Sequence, residues 1–516
     1  MSSDNNNMDL GKVSFESAIN EAGFGLYSYL LTSLTGLCII SYACVVYGGT
    51  FIVPASACEL GTTTSQQGIL VAGPVLGTII GAAFWGYLAD KRGRKSMLLV
   101  SLAGGLVMIL LASISVNWIM LMVLQFIASL FASGQYSLPM AILSESVPMA
   151  KRNFVVLLVT SIFLLAQGLM ALVAIPIIPL PFSYHVPGLG IQWNSWRTLM
   201  VVFTSPSIIC FIWLLFMQES PKFVFSKGNE EGALNILRFI HKMNNRKGQE
   251  ELPVKGLLQL TSDAPEQKGA MKELFKAPLL KYFIIMTTLS MFLQVGSFVV
   301  WLPTIANQFV EILRTGEGYE SNLCAIIIMG EQAPPNEDVA PCSLNMISLL
   351  IVFGVGSLHS IVNIIISLFV DRAGRRNMAM GVAAFTGLCG IITNLIPNAI
   401  GSAAVFVMFT TGLLLVGLYT AMSIALFPTH LRALAISLTM TGGRMMVFVV
   451  IQILNLLLNS NCELGFYLFA TLVASSAIVA AFLPDDRKLI TATTVARKSD
   501  TLTEEMETEN EKYTAL

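Results

Sequence analysis

One arginine stands inside a run of apolar residues near the end of the chain. Arg444 lies within the apolar run 434–458, between Gly442-Gly443 and Met445-Met446. A charged side chain at the centre of a membrane-spanning helix costs about 2.5–3.5 kcal/mol on insertion scales, so something must compensate it. An anion held in a cavity would do so, and so would carbonyl groups at the end of a neighbouring helix. Arg444 is therefore either an anion-binding residue or a structural one.

A short charged motif occurs twice, once in each half of the chain. Residues 86–95 read G-Y-L-A-D-K-R-G-R-K, and residues 367–376 read S-L-F-V-D-R-A-G-R-R. An aspartate can lie at the N-terminus of a facing helix, where the helix dipole favours an anion. The basic residues can pair with acids at the ends of neighbouring helices. The two motifs predict charged gates on one face of the molecule, although basic residues alone can also serve only to set membrane orientation.

The elements that position these residues are apolar runs long enough to cross a bilayer. The chain has 516 residues, of which 55% are hydrophobic and 12% charged, whereas soluble domains carry about 25% charged residues. A spanning helix needs roughly 20 apolar residues. Twelve runs fit: 27–49, 67–88, 96–114, 119–143, 154–178, 196–217, 281–305, 346–369, 378–397, 400–426, 434–458 and 464–483. With the repeated motif, they predict an all-α membrane protein with two pseudo-symmetric bundles of six transmembrane helices, which is typical of transporters.

The distribution of Lys and Arg predicts the orientation. The loops after the second and eighth runs and the long central segment are rich in basic residues, which favours a cytosolic location. An even number of spans then places both termini in the cytosol. The predicted organisation is a cytosolic N-terminal segment (1–26), a first bundle (27–217), a cytosolic connector (218–280), a second bundle (281–483) and an acidic cytosolic tail (484–516).

Three smaller features predict local structure. In the connector, Asn229 can cap a helix whose apolar residues repeat at helical spacing, and this helix either lies against the cytosolic mouth or is a solvated linker. In the predicted non-cytosolic loop 307–345, Cys324 and Cys342 can form a disulfide, although Cys58 and Cys462 keep other pairings open. The tail ends in a form that a PDZ domain can bind as a strand, and it also contains an acidic di-leucine pattern (485–490), so a PDZ domain or a sorting adaptor is a candidate partner.

Several stretches resemble the major facilitator superfamily, and within it the branch of the synaptic vesicle glycoprotein 2 proteins and the organic-ion transporters. Residues 22–27 (A-G-F-G-L-Y) are similar to the entry of their first helix, and residues 194–197 (N-S-W-R) and 219–223 (E-S-P-K-F) to motifs around their sixth. Residues 301–303 (W-L-P) and 427–432 (F-P-T-H-L-R) match two further motifs. The resemblance implies two six-helix bundles around a central cavity that opens alternately to each side of the membrane.

In these relatives, acids and basic residues at the cytosolic ends of the helices form ion pairs. Together with the repeated motif, this gives the candidate gating residues Asp90, Arg94, Lys95, Glu145, Arg152, Glu219, Asp371, Arg375, Arg376 and Arg432. Where the relatives have a glutamate three residues before the proline of P-T-x-x-R, this chain has Ala425. We therefore expect the network of the second half to be weaker or differently built.

The resemblance also bears on the substrate. Arg444 lies twelve residues after Arg432, and in organic-ion transporters this second position tends to be arginine in anion carriers and acidic in cation carriers. None of the twelve runs has Asp or Glu in its interior, whereas proton coupling usually relies on a buried carboxylate. Facilitated diffusion or anion exchange is therefore favoured. His359 can titrate, but a lone histidine on an apolar helix is typical of a structural role.

Other polar or aromatic side chains within the runs can either line a cavity or join helices by hydrogen bonds. These candidates are Tyr42, Gln135, Tyr136, Gln167, Gln294, Trp301, Asn363 and Tyr419.

The predicted function is transport of a small organic solute, with a leaning to organic anions, by a facilitator or exchanger in the plasma membrane or a vesicle membrane. Two alternatives stay open: a vesicle-membrane binding or trafficking protein without transport, and a facilitator for neutral, sugar-like solutes. The sequence contains no P-loop, nucleophile elbow or metal-spaced His/Cys cluster, so we expect no enzyme activity and no cofactor. The formal net charge of −1 argues against a nucleic-acid partner.

Overall fold

The computed structural model describes residues 12–188, 190–245, 252–258, 273–293, 295–316, 320–332, 344–427 and 429–484. The helices of the first half and the connector are α1 (Phe15–Ala22), α2 (Leu26–Tyr47), α3 (Gly49–Leu60), α4 (Thr64–Arg92), α5 (Arg94–Ser113), α6 (Trp118–Ser146), α7 (Met149–Ala174), α8 (Ser195–Val202), α9 (Ser205–Phe216), α10 (Pro221–Ser226) and α11 (Glu230–Asn244). Short strands pair two by two: β1 (Lys12–Val13) is parallel to β4 (Gly256–Leu257), and β2 (Ser183–Val186) is antiparallel to β3 (Ile191–Asn194).

The second half is also helical. Its helices are α12 (Leu279–Phe292), α13 (Val295–Val300), α14 (Leu302–Thr315), α15 (Leu323–Gln332), α16 (Met346–Ala373), α17 (Arg375–Ile392), α18 (Ala399–Thr410), α19 (Leu415–Leu426), α20 (Thr429–Ser460) and α21 (Cys462–Ala481). A 3-10 turn, Thr411–Leu414, joins α18 to α19.

Among the described residues, eleven helical segments are long and apolar enough to cross a membrane. The predicted ninth span corresponds to α17, which has 18 residues and begins with Arg375 and Arg376. This helix packs closely on α21: a Cβ added at Gly387 would come within 2.6 Å of Ala474, and one at Gly390 within 2.7 Å of Ala470. Counted with the eleven, α17 gives the twelve transmembrane helices that the sequence predicts.

Three spans differ in detail from their predicted runs. The first helical segment continues through α3 and Pro54 as far as Leu60, well past the predicted end at residue 49. The seventh run is divided at Leu293 into α12 and α13, and the tenth is interrupted by the turn Thr411–Leu414. Both interruptions lie beside the central cavity, and discontinuous helices are common where a transporter forms its binding site.

Polar caps set where alternate spans begin. The side chains of Thr63, Asn117, Asn345, Asn398 and Asn461 each accept a hydrogen bond from the first turn of α4, α6, α16, α18 and α21. Such caps satisfy backbone N–H groups that have no partner within the helix. These five helices start at one face of the molecule, which we call the disulfide face. The opposite face carries the two charged motifs and the connector, and we call it the connector face.

Hydrogen bonds between the two halves lie at the disulfide face and in the middle of the molecule. At the disulfide face, Gln452 Nε2 donates to the carbonyl of Gly68 at 3.1 Å and Asn455 Nδ2 to that of Thr64 at 2.9 Å. In the middle, the Asn363 amide donates to Ser161 Oγ at 2.9 Å. These contacts hold α4 against α20 and α7 against α16, so the halves are closed on the disulfide face.

The part of the connector that contains α10 and α11 packs against the first half and is not solvated on all sides. As predicted, Asn229 caps α11, and the apolar face of that helix (Leu234, Leu237 and Ile240) is buried. Asn244, at the end of α11, caps a transmembrane helix in turn, because its Oδ1 accepts from the N–H of Tyr27 at 3.0 Å. The connector and the start of the first half therefore form one structural unit.

The first pairing predicted for Cys324 is wrong. Cys324 forms its disulfide with Cys462, which begins α21; Cys342 lies outside the described residues. The packing of α15 explains this outcome, since Asn322 Nδ2 donates to Glu463 Oε1 at 3.1 Å and brings the start of α15 to the start of α21. Cys58 is also disulfide-bonded. The cysteines within the spans, Cys38, Cys44, Cys210 and Cys389, are free and buried.

Candidate functional site

A central cavity of about 300 Å³ lies between the two halves. Both halves contribute to its wall. From the first half come Tyr42, Tyr47, Tyr136, Phe163 and Gln167, and from the second Ser290, His359, Tyr419, Thr420 and Arg444. Among the described lining residues, Arg444 is the one that always carries a charge, and there is no Asp or Glu.

Arg444 faces an aromatic cluster on the opposite wall. Arg444 extends from α20 and lines the cavity together with Tyr42, Tyr47 and Tyr136 of the first half. The rings of Tyr42 and Tyr136 lie 5.2 Å apart between centroids, and Phe163 packs 5.9 Å from Tyr136. No described carboxylate forms an ion pair with Arg444, so hydroxyl groups and aromatic rings are its protein surroundings.

The cavity contains five of the predicted binding residues: Tyr42, Tyr136, Gln167, Tyr419 and Arg444. Two of these also hold helices together. Gln167 Nε2 donates to the carbonyl of Val299 at 2.9 Å across the two halves, and the Tyr419 hydroxyl donates to Ser476 Oγ at 3.1 Å within the second half.

Three other candidates are not among the lining residues. Gln135 is fully buried inside the first half, where its Oε1 accepts from Ser41 Oγ at 2.8 Å. Asn363 joins the halves through Ser161, and Trp301 is buried at the end of α13. In this structure these three side chains pack between helices and do not line the central cavity. Gln294 lies outside the described residues.

Three cavity-lining residues, Tyr47, Phe163 and His359, were not among the predicted binding residues. Tyr47 and Phe163 complete the aromatic cluster around Tyr42. Tyr47 could have been proposed from the sequence, because it is a second tyrosine in the same predicted run, five residues after Tyr42. His359 also lines the cavity, where its Nε2 is 3.1 Å from Thr410 Oγ1, so the histidine has a structural partner as well as access to the cavity.

The charged motif of the first half forms a compact network on the connector face. Arg94 pairs with Glu145 at 2.8 Å, and the exposed fractions of the two side chains are 16% and 14%. Glu219 accepts hydrogen bonds from the backbone N–H groups of Arg94 at 3.1 Å and Lys95 at 2.9 Å. Its carboxylate thus lies at the N-terminus of α5, where the helix dipole stabilises an anion.

Gly93 is required at the start of this network. Its φ of +102° is unfavourable for other residues. A Cβ at this position would also come within 2.6 Å of Glu219 Oε2. The glycine therefore allows both the turn into α5 and the close approach of the carboxylate that caps it.

Other members of the predicted gating set have different partners from those expected. Lys95 Nζ donates to the carbonyl of Met217 at 2.7 Å, and Arg152 pairs with Glu16 of α1 at 3.1 Å. Asp90 is 63% exposed and lies 3.8 Å from Arg94, so it is not anchored at a facing helix in this state.

The second motif uses backbone carbonyls. Arg375 Nη1 donates to the carbonyl of Ala421 at 3.0 Å and Arg376 Nη1 to that of Leu483 at 2.9 Å. The side chains of Asp371 and Arg432 lie outside the described part of the chain. Each motif makes its described contacts within its own half of the molecule. A gate that joins the two halves therefore stays a prediction.

A buried ion pair at the disulfide face had no sequence-based prediction. Arg197, 1% exposed, pairs with Glu59 Oε1 at 2.6 Å, while the indole N–H of Trp196 donates to Glu59 Oε2 at 2.7 Å. Asn194 donates to the same oxygen. Glu59 was missed because the first run was ended at residue 49, whereas the helix continues to Leu60. This pair fastens the β2–β3 hairpin to the first transmembrane segment.

Comparisons with known proteins agree with this architecture. The model of the Major Facilitator Superfamily matches residues 35–451. The human protein SVOPL is 25% identical over 493 residues, which cover 92% of each chain. Mouse synaptic vesicle glycoprotein 2C is 28% identical over 239 residues, or 46% of this chain and 33% of that protein, so the match spans a third of that relative.

Solved structures show the same fold. The partially occluded inward open conformation of the xylose transporter XylE from E. coli has a TM-score of 0.62 and 16% identity, and the match covers 89% of this chain and 98% of XylE. The inward open conformation of XylE gives a TM-score of 0.61 with 14% identity and covers 89% and 96% of the two chains.

Proposed function

Because the chain belongs to the major facilitator superfamily, whose members are membrane transporters and not enzymes, we propose that it carries small organic anions by alternating access. The single observation that carries this proposal is Arg444. Its guanidinium lies on the wall of a cavity between the two halves, and no described lining residue is acidic.

Desolvation of the Arg444 guanidinium favours an anionic ligand. Removing a guanidinium from water is costly unless an anion or several dipoles replace the lost hydration. The hydroxyl groups of Tyr42, Tyr47 and Tyr136 supply dipoles but no compensating charge. A bound carboxylate or sulfonate supplies the charge and can accept two parallel hydrogen bonds from the guanidinium. The site is therefore more favourable to an organic anion than to a cation.

The aromatic cluster favours an anion with an apolar body. Tyr42, Tyr136 and Phe163 line the cavity and pack against one another. A volume of about 300 Å³ is at the lower end of the range for ligand pockets. The proposed cargo is thus a small organic anion whose charged group binds Arg444 and whose carbon skeleton contacts the aromatic wall.

The transport mode in this proposal is facilitated diffusion or exchange. Among the described residues the cavity has no carboxylate to carry a coupled proton. If the connector face is cytosolic, as the basic loops favour, the hydrogen bonds of Gln452 and Asn455 close the opposite, non-cytosolic face. The cavity would then load or release its cargo on the cytosolic side, and the charged motifs would act when that face closes.

The first test is binding to purified protein. We would measure thermal stability with benzoate, other aryl and alkyl carboxylates and sulfonates, with tetraethylammonium as the cation and with xylose as the neutral solute. A ligand that binds only the folded state raises the melting temperature. The proposal expects the anions alone to do so. A shift with xylose and not with any anion would favour the neutral-solute facilitator, which the likeness to a xylose transporter keeps open.

The second test concerns Arg444 itself. In proteoliposomes, Arg444→Gln should reduce uptake of the best anion by about tenfold to hundredfold, because a charge-assisted bond contributes about 1.5–3 kcal/mol. Tyr42→Phe should have a smaller effect. Tyr27→Phe is the matched control, since Tyr27 is buried in the first half and is not among the residues that line the cavity. Anion uptake that is unchanged in Arg444→Gln would reject the anchor role.

The same two assays distinguish a transporter from a membrane protein that only binds its ligand. Relatives of this chain include proteins named synaptic vesicle glycoproteins, so a vesicle-membrane protein that binds ligands without transporting them is the alternative. It predicts a thermal shift with no saturable uptake of the same compound. Saturable uptake in proteoliposomes would exclude it.

A further inference from the structure

The central cavity contains a histidine whose role is not explained by anion binding alone. His359 lies on the inward side of α16, whereas its neighbours Leu358 and Ile361 are exposed on the outer side. Its ring lines the cavity, and its Nε2 is 3.1 Å from Oγ1 of Thr410, the last residue of α18. What the ring offers to a ligand depends on which nitrogen carries the hydrogen.

The hydroxyl of Thr410 fixes the position of that hydrogen. Thr410 Oγ1 donates its single hydrogen to the carbonyl of Val407 at 2.7 Å. A hydroxyl group whose hydrogen is already used can only accept from the ring. Nε2 of His359 therefore carries the hydrogen, and in the neutral ring Nδ1 has a lone pair and acts as an acceptor. A second positive charge in this cavity would be repelled by Arg444, so the ring binds ligand in its neutral form.

The acceptor Nδ1 is available to the cavity. No described residue forms a hydrogen bond with it, and the protein does not seal it from the cavity. Thr410 does not need the histidine as a partner, since its hydroxyl already binds Val407. The contact with Thr410 thus orients the ring. Water or a ligand has to donate to Nδ1, because an acceptor left unpaired in a buried place is unfavourable.

His359 and Arg444 reach the cavity from helices with different neighbours. The helix of His359, α16, packs against α7, whereas the helix of Arg444, α20, packs against α4. The imidazole and the guanidinium therefore approach a ligand from different sides. A ligand that contacts both has its anionic group and its hydrogen-bond donor on separate parts of its skeleton.

We propose that His359 determines specificity and that the cargo is an organic anion with a hydroxyl group set apart from its charged group. The hydroxyl donates to His359 Nδ1, the charged group binds Arg444, and the carbon skeleton contacts the aromatic wall. This inference rests on the proposed function, since Arg444 holds the anion. An anion without the hydroxyl displaces water from Nδ1 and leaves it unpaired, and a site built to hydrogen-bond a substrate hydroxyl rejects analogues that lack it.

The first test compares ligands of similar size on purified full-length protein. Dissociation constants are measured at neutral pH for benzoate, for its ortho-, meta- and para-hydroxy derivatives, and for meta- and para-fluorobenzoate, which have no donor. The better of the meta- and para-hydroxy isomers should bind about tenfold more tightly than its fluoro analogue. The ortho isomer should bind like benzoate, because its hydroxyl bonds to its own carboxylate.

This comparison separates failure of the inference from failure of the proposed function. If benzoate and the fluorobenzoates bind as tightly as all the hydroxybenzoates, anion binding stands and the role of His359 is wrong. If none of these anions binds, the proposed function fails, and the inference fails with it.

Variants assign the preference to the histidine. In His359→Leu, the hydroxybenzoate and its fluoro analogue should bind within about twofold of each other. His185→Leu makes the same replacement on the exposed β2–β3 hairpin and should keep the preference of the wild-type protein. A preference that survives in His359→Leu would place the hydroxyl on another acceptor of the wall, such as Gln167 Oε1, and would overturn the assignment to His359.

The position of the hydrogen has its own test, which needs no ligand. Nitrogen NMR of the protein labelled at histidine reports which ring nitrogen is protonated, and the His359 signal is identified by its absence in His359→Leu or His359→Asn. We expect Nε2 to be protonated and Nδ1 to be unprotonated. Thr410→Val removes the acceptor of Nε2–H, so it should shift the ring toward the other tautomer and reduce the hydroxyl preference about threefold. A protonated Nδ1 in the wild-type protein would overturn the proposal.

Discussion

The two charged motifs have nearly the same sequence, but they are held by different acceptors. In the first half, Arg94 pairs with the Glu145 carboxylate at 2.8 Å. In the second half, the corresponding Arg375 donates to the backbone carbonyl of Ala421 at 3.0 Å. The next basic residues behave alike: Lys95 donates to the carbonyl of Met217, and Arg376 to that of Leu483. In both halves, the second basic residue binds a backbone carbonyl at the end of the sixth transmembrane helix of that half. The halves differ in the group on the fourth transmembrane helix that the first arginine contacts.

The sequence contains the origin of this difference. Glu145 lies three residues before Pro148, and Ala425 lies three residues before Pro428. The second half lacks the acid at the equivalent place, and Arg375 contacts the same helix one turn earlier. Both bonds are charge-assisted by the guanidinium, but the described acceptor is an anion in the first half and a neutral carbonyl in the second. Removing Arg94 should therefore destabilise the protein more than removing Arg375, because Glu145 then keeps a negative charge without its cation.

The largest expected effect comes from breaking each contact in turn. Arg94→Ala leaves Glu145 partly buried without its cation and should lower the free energy of unfolding by about 2–3 kcal/mol. Arg375→Ala removes the described bond to a neutral carbonyl without leaving a described carboxylate unpaired, and should cost less, about 1.5 kcal/mol. Both are measured by SDS titration of the purified protein in mixed micelles.

The control for this pair is Arg94→Ala combined with Glu145→Gln. Replacing the carboxylate by an amide removes the unpaired charge, so the double variant should be more stable than Arg94→Ala alone. If Arg375→Ala is as destabilising as Arg94→Ala, the contrast between the halves is wrong.

A smaller effect is expected from the acid that caps α5. Glu219→Gln keeps an acceptor for the N–H groups of Arg94 and Lys95 but removes the charge at the helix N-terminus. We expect a loss of about 1 kcal/mol in the same titration. Asp90→Asn is the matched control and should have almost no effect, since Asp90 is 63% exposed and 3.8 Å from Arg94. A larger effect of Asp90→Asn would mean that this aspartate is anchored in solution.

The helical architecture was readable from the sequence because membrane burial imposes long apolar runs. Runs of about 20 residues, basic loops and a repeated motif are enough to predict twelve spans in two bundles. That Arg444 faces the interior of the bundle was also predictable, since a charge within a transmembrane helix needs polar surroundings. Hydropathy alone did not reveal that the first helix continues through Pro54 to Leu60 or that the seventh and tenth spans are interrupted.

Contacts that depend on tertiary packing were not readable. The partner of Arg197 is Glu59, 138 residues away, and the partner of Cys324 is Cys462, also 138 residues away. Of the polar residues within spans, Tyr42 lines the cavity whereas Gln135, in a neighbouring helix, bonds Ser41 inside the first half. The rotation of each helix decides between these roles, and in a run that is apolar on every side the sequence pattern does not specify it.

The smallest effect is expected from a substitution that makes the two halves alike. Ala425→Glu places an acid one helical turn after Ala421 and three residues before a proline, as Glu145 is placed in the first half. An ion pair with Arg375 should then raise the free energy of unfolding by about 0.5–1 kcal/mol. A double-mutant cycle with Arg375→Gln isolates this pair, since the gain should vanish when the cation is absent. A gain that persists in Arg375→Gln would show that the added glutamate acts elsewhere, and the missing acid would then not explain the difference between the two motifs.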